Sequence, residues 1–114
     1  MEKTLKLKKN YEFRRVLTKG KYYSGKYIEV FAKPNNQQIN YIGIAIGVKI
    51  AKAVKRNRIK RLIRENYRLL ENKLKPGYNI VFLWKKKKNI KEATFSNIKI
   101  DMINIFKRIG ILEE

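Results

Sequence analysis

The stretch KIAKAVKRNRIKRLIRENYR, residues 49–68, decides how the rest of the chain is read. Wound as a helix at about 100° per residue, it places Ile59, Leu62, Ile63 and, about two turns on, Leu70 on one stripe. Asn57, Lys60, Arg61, Arg64 and Arg68 fall on the opposite stripe. The first stripe is a core face. The second is a row of cations with one amide among them, and only Glu65 and Glu71 lie nearby to neutralise it. Such a face calls for a polyanionic partner.

The segments on either side of this helix have a different period. Upstream, Ile39 to Val48 alternates Ile42, Ile44, Ile46 and Val48 with Gly43, Ala45 and Gly47, which predicts a strand with one bulky face and one small face. The small residues leave a groove that either another element or a ligand fills. Downstream, Lys75-Pro76-Gly77 stops the helix near Leu74, and Tyr78 to Trp84 is almost wholly apolar, as in an inner strand covered on both faces. Strand, helix and strand in that order imply a parallel pair, for which a right-handed crossover is the default.

Farther out, residues 1–9 form a basic lead-in, and Asn10 stands where an N-cap would, with Glu12 in the first turn. Phe13, Val16 and Leu17 follow at helical spacing and Gly20 ends that helix. A short strand is expected near Tyr22 to Ser24. From Lys21 to Lys33 the period is two, with Ile28, Val30 and Ala32 on a core face and Tyr27, Glu29, Phe31 and Lys33 on a mixed one. Aromatics beside cations can stack unpaired bases, although aromatic strands are also ordinary core material. Lys85 to Lys88 is a run of lysines that reads first as a solvated loop and second as an extension of the basic surface. Thr94 caps a last helix in which Phe95, Ile98, Met102, Ile105, Phe106 and Ile109 keep helical spacing up to Gly110. The expected fold is an α/β (α+β) two-layer sandwich over residues 1–114. Its elements run helix-strand-strand-strand-helix-strand-helix, with a mixed sheet of about four strands and a parallel central pair.

Composition narrows the function. Lys and Arg number 29 against 9 Asp and Glu, a formal charge of +20, while 44% hydrophobic residues indicate a folded domain and not a disordered basic tail. The chain has neither cysteine nor histidine. Disulfides, thiolate and imidazole metal sites and histidine acid–base chemistry are thereby excluded, so no catalytic residues and no side-chain-bound cofactor are expected. The N-terminus lacks the apolar core of a signal peptide and no run suits a membrane span, so a cytoplasmic protein with no membrane partner and no small-molecule substrate is expected.

The segment Ala53 to Glu65, AVKRNRIKRLIRE, closely resembles the signature of the bacterial ribonuclease P protein component, in which an Arg-Asn-Arg core is followed by Lys-Arg and a further Arg. Glu12-Phe13 with Gly20 is similar to that family's first helix, and Gly43 to Lys49 to the strand leading into its signature. The length and element order agree, so the resemblance spans nearly the whole chain. It implies a subunit of the ribonucleoprotein that removes the 5′ leader from precursor tRNA. Chemistry would then reside in an RNA subunit that requires magnesium. The RNA subunit would face Lys52, Arg56, Asn57, Arg58, Lys60, Arg61, Arg64 and Arg68. The single-stranded leader would enter a cleft involving Phe13, Leu17 and Phe31, where Leu17 replaces an aromatic the family often has. The resemblance also implies a left-handed crossover through the signature helix, against the default. A ribosomal-type RNA-binding protein would share the charge but not the Arg-Asn-Arg spacing. A helix-turn-helix DNA binder would need a helix where Ile39 to Val48 reads as a strand, and a membrane-surface helix would expose the apolar stripe that the core requires.

Overall fold

The two-residue period of the strands and the helical stripes meet in one sheet, seen in a computed structural model that describes residues 3–113. The elements are β1 Thr4–Lys6, α1 Asn10–Lys19, β2 Lys21–Ser24, β3 Ile28–Pro34, β4 Asn40–Ala45, α2 Ala53–Leu70, β5 Tyr78–Trp84 and α3 Phe95–Ile109, with 3-10 turns at Glu71–Lys73 and Ile90–Glu92. The sheet order is β1-β4-β5-β3-β2. β4 and β5 form the expected parallel pair around α2, β1 is parallel to β4, and β3 runs antiparallel to both β5 and β2.

The sheet has five strands, not about four, because β1 lies in the basic lead-in. Its pattern conceals it. Thr4 is buried and Leu5 is 52% exposed, the reverse of what hydropathy dictates. Thr4 is held inside by a 2.7 Å hydrogen bond to the Tyr67 hydroxyl.

The two sheet faces carry different loads. Ile28, Val30, Ile42, Ile80, Phe82 and Trp84 pack under α2 and α3, whose Ile59, Ile63, Ile98, Met102, Ile105 and Phe106 complete the main core. Tyr67, Phe82 and Phe106 meet edge to face with centroids 6.1–6.3 Å apart. On the other face α1 covers a smaller cluster of Leu7, Val16 and Val81. From Ile28 on, alternation along β3 is as expected, with Ile28, Val30 and Ala32 in the main core and Glu29, Phe31 and Lys33 half-buried on the α1 side. Tyr27, expected on the mixed face, instead precedes the strand and packs against the main core, stacked on Trp84.

Several boundaries differ from the sequence expectation for local reasons. β4 ends at Ala45, three residues before Val48. The chain turns at Gly47, where the Ile50 amide donates to the Gly47 carbonyl at 3.0 Å, and Val48 is left 74% exposed. α2 ends at Leu70 and tightens into the 3-10 turn, and its core stripe includes Asn66 and Tyr67 while Leu62 and Leu70 are only half-buried. Asn66 is tolerated inside because its amide donates to the carbonyls of Leu62 at 3.0 Å and Phe95 at 3.2 Å, joining α2 to the start of α3. Asn10 is the first helical residue of α1, not its cap. The cap is Lys9, and Glu12 reaches back to accept the amides of Lys9 at 2.9 Å and Lys8 at 3.2 Å. These bonds lower the Glu12 pKa. Thr94 caps α3 as expected, accepting from the Asn97 amide at 3.1 Å, and Gly110 closes it in the left-handed conformation with φ 87°.

Asp101, on α3, is the main polar anchor. It is 5% exposed and accepts the backbone amides of Lys26, Tyr27 and Ile28 at 2.9, 2.6 and 2.9 Å, fixing the β2–β3 turn against the helix.

Candidate nucleic-acid interface

Burial of Ile59, Ile63, Asn66 and Tyr67 fixes the rotation of α2 and turns its cationic stripe outward. Asn57, Arg58, Arg61 and Arg68 are exposed, as is Lys52 at the N-cap; Lys60 and Arg64 are half-buried on one flank. Arg56 differs from the others. It is half-buried, and its Nη1 donates to the Ala51 carbonyl at 2.7 Å, so part of its guanidinium holds the entry to the helix. The first turn of α2 has no acidic residue, and Lys52 supplies no side-chain cap. Cations at the positive end of a helix cost about 0.3–1 kcal/mol each, a penalty that an anion bound there reverses.

The flank bearing Lys60 and Arg64 leads to the sheet face covered by α1. Together with Lys6, Leu7, Phe13, Ile42, Gly43 and Ile44 they line a cavity of about 150 Å³. Phe13 fills the groove left by the small residues of β4. A Cβ built on Gly43 would lie 2.5 Å from the Phe13 ring, so glycine is what admits it. Phe13 and Phe31 both pack against the cluster around Val81, bringing two of the three cleft candidates into one apolar cluster under α1. Leu17 stays outside that cluster and is 36% exposed.

Sequence reasoning missed Tyr22 and Lys6. Tyr22 stands opposite Phe31 across β2 and β3, with ring centroids 5.0 Å apart, and is 46% exposed. Its hydroxyl donates to the Glu29 carboxylate, which raises the Tyr22 pKa. The aromatic composition of β2 was visible, but its register with β3 was not. Lys6 was hidden because β1 itself was. Among the described residues no group of three or more His, Cys, Asp or Glu could hold a metal ion, and no helix is long and apolar enough to cross a membrane.

The fold and this surface define a small, strongly basic α/β protein that presents a cationic helix beside a cavity lined by Phe13. Residues 1–110 match the sequence profile of the family described as Ribonuclease P, and the chain belongs to that family. It is 41% identical over 113 residues to the ribonuclease P protein component of Caldanaerobacter subterraneus subsp. tengcongensis, covering 99% of this chain and 96% of that one. To the protein of the same name from Clostridioides difficile it is 40% identical over 110 residues, with 96% and 95% covered. Among solved structures, the RNase P protein of Staphylococcus aureus matches with a TM-score of 0.79 at 27% identity, covering 95% of this chain and 97% of that one. That of Thermotoga maritima matches at 0.81 and 27%, covering 90% and 96%. The role of the chain therefore lies in ribonuclease P.

Proposed function

We propose that this chain is the protein subunit of a ribonuclease P ribonucleoprotein that removes the 5′ leader of precursor tRNA in the cytoplasm. The exposed face of α2 binds the phosphate backbone of the RNA subunit, with Lys52, Asn57, Arg58, Lys60, Arg61, Arg64 and Arg68 as contacts and Arg56 shared between RNA and the helix entry. The unpaired leader lies along the α1 side of the sheet against Phe13, Phe31 and the rim formed by Leu17. The chemistry of phosphodiester hydrolysis belongs to the RNA subunit and the magnesium it binds. The protein contributes charge and position: each phosphate it neutralises releases counterions, and each base stacked on an aromatic adds about 1–3 kcal/mol to precursor binding.

The observation that carries this reading is the shared cavity in which Lys60 and Arg64 of the signature helix meet Phe13 of α1. It puts two cations of the basic helix beside one of the three cleft candidates, which supports a path by which an RNA bound to the helix hands its neighbouring single strand to the α1 side of the sheet. Purified protein added to a bacterial ribonuclease P RNA at low magnesium should stimulate cleavage of precursor tRNA at the mature 5′ end. Absence of stimulation overturns the proposal.

A further inference from the structure

The lysine run after β5 is a built feature. Its backbone is a closed turn in which the Lys88 amide donates to the Lys85 carbonyl at 3.1 Å, and the Lys85 amide donates to the Tyr27 carbonyl at 2.9 Å. The indole N–H of Trp84, a residue 1% exposed, donates to the Lys88 carbonyl at 3.1 Å. Lys88 Nζ lies 5.5 Å from the centre of the Tyr27 ring, which itself stacks on Trp84 at 6.1 Å and 16°. These contacts restrain both ends of the turn and leave Lys86 and Lys87 exposed at its tip. The clamp fixes the backbone of the turn and seats Lys88, so Lys86 and Lys87 are presented from a fixed tip.

The tip stands beside α2. Lys86 shares a hollow of about 420 Å³ with Val48, Lys49 and Ile50 of the β4–α2 connection. Farther along, Lys91 of the 3-10 turn shares another of about 260 Å³ with Lys55, Arg58 and Ile59 of α2. The turn is itself fixed, because the Asn89 side chain accepts the Lys91 amide at 2.9 Å. Glu92, the one acid between Lys85 and Thr94, lines neither hollow. Cations from three separate segments thus converge on the flank of α2 away from Lys60 and Arg64.

We infer that the Lys85–Lys88 turn and Lys91, with Lys55 and Arg58 of α2, form a second phosphate-binding wall, so that the RNA subunit is gripped on both flanks of the signature helix. This rests on the reading of α2 as the RNA-subunit contact. The partner is an RNA backbone because the wall offers several cations with apolar floors and no shaped polar pocket, which suits repeated phosphates and no particular base.

The test compares two variants of equal charge. In Lys86→Gln/Lys87→Gln/Lys91→Gln, loss of three contacts should lower the salt slope of RNA-subunit binding by roughly 2 and affinity on the order of a hundredfold near 0.1 M salt, the difference closing toward 1 M. The control Lys73→Gln/Lys75→Gln/Lys99→Gln should leave the slope near wild type. Thermal melts of both should match wild type. Equal effects of the two triples, or an unchanged slope in the first, overturn the second wall. If the first triple keeps RNA-subunit affinity but weakens precursor tRNA binding by the assembled holoenzyme, the assignment to the RNA subunit is wrong. Arg61→Ala is measured alongside. If it weakens binding while the first triple does not, only the second wall falls; if neither does, the reading of α2 falls with it.

Discussion

Phe31 is the residue at which packing and function are most directly separable. It lies half-buried on the α1 side of β3, in the cluster around Val81, with its ring 5.0 Å from that of Tyr22. Truncating a fully buried phenylalanine costs about 3–5 kcal/mol. With Phe31 mostly but not fully buried, Phe31→Ala should cost roughly 2–4 kcal/mol of stability. If a leader base stacks on the exposed part of the ring, the same change removes a further ~1–3 kcal/mol from precursor tRNA binding, about 5- to 150-fold in Kd. Phe31→Leu divides the two effects. Leucine keeps most of the apolar contact with Val81, at a stability cost below about 1.5 kcal/mol, but offers no aromatic face. Affinities of the reconstituted holoenzyme for precursors with progressively shorter leaders, and for mature tRNA, are measured with urea unfolding of the free protein. Phe31→Leu should lose affinity only when a leader is present, by an amount that vanishes as the leader shortens to a nucleotide or two. Wild-type leader dependence in Phe31→Leu, or equal losses on precursor and mature tRNA, would refute the cleft assignment.

Arg61→Ala should leave the melting temperature unchanged and weaken RNA-subunit binding, because the side chain is exposed. Arg56→Ala should lower both, since removing the bond to the Ala51 carbonyl costs stability by about 1.5–3 kcal/mol; equal melting behaviour of the two variants would contradict the division. Asp101→Ala leaves the amides of Lys26, Tyr27 and Ile28 without their acceptor. It should cost about 3–5 kcal/mol in urea unfolding, with amide exchange accelerating first in the β2–β3 turn. Burial, more than any neighbour, raises the Tyr67 pKa above the ordinary 10.0. The folded state then holds its proton longer than the unfolded chain, so this contribution is intact below pH ~10 and is lost as pH rises through the folded value. Alkaline melts should show that loss, and Tyr67→Phe should flatten it while lowering stability at neutral pH through the orphaned Thr4 hydroxyl; an unchanged alkaline slope would assign it elsewhere.

The parts of the fold legible in the sequence are those where a side chain's polarity agrees with its burial. β3, β5 and α3 are of this kind: Ile28, Val30, Ile80, Phe82, Ile98 and Met102 are all fully buried, and their spacing declares it. Where a specific hydrogen bond inverts that agreement, the sequence misleads. Thr4 goes inside on the Tyr67 hydroxyl, Asn66 on the carbonyls of Leu62 and Phe95, and Val48 comes out because the chain turns at Gly47. The candidate site divides in the same way. The cations of α2 could be read from helical spacing alone. Tyr22 beside Phe31, Lys60 beside Phe13 and Lys91 beside Arg58 depend on strand register and helix rotation, which long-range contacts set.

The distribution of carboxylates explains how so basic a chain keeps its charge available. Glu12 binds the amides of Lys8 and Lys9, Asp101 those of Lys26, Tyr27 and Ile28, and Glu29 the hydroxyl of Tyr22. Each of these acids is thereby satisfied by neutral donors instead of by a lysine or arginine side chain. Each also braces a wall of the surface: Glu12 starts the helix that carries Phe13, Glu29 steadies the ring beside Phe31, and Asp101 fixes the turn whose Tyr27 underlies Lys88. Charge-assisted bonds to backbone amides are strong local anchors, whereas exposed lysine–carboxylate pairs contribute about 0–1 kcal/mol and would cancel charge that an RNA could use. The acids thus stabilise the frame while these three leave the cations of α2 unneutralised. If α2 contacts the RNA subunit as proposed, Arg61→Glu should weaken RNA-subunit binding more than Arg61→Ala does, by losing a cation and by adding a charge that repels phosphate; equal losses in the two variants would contradict that contact.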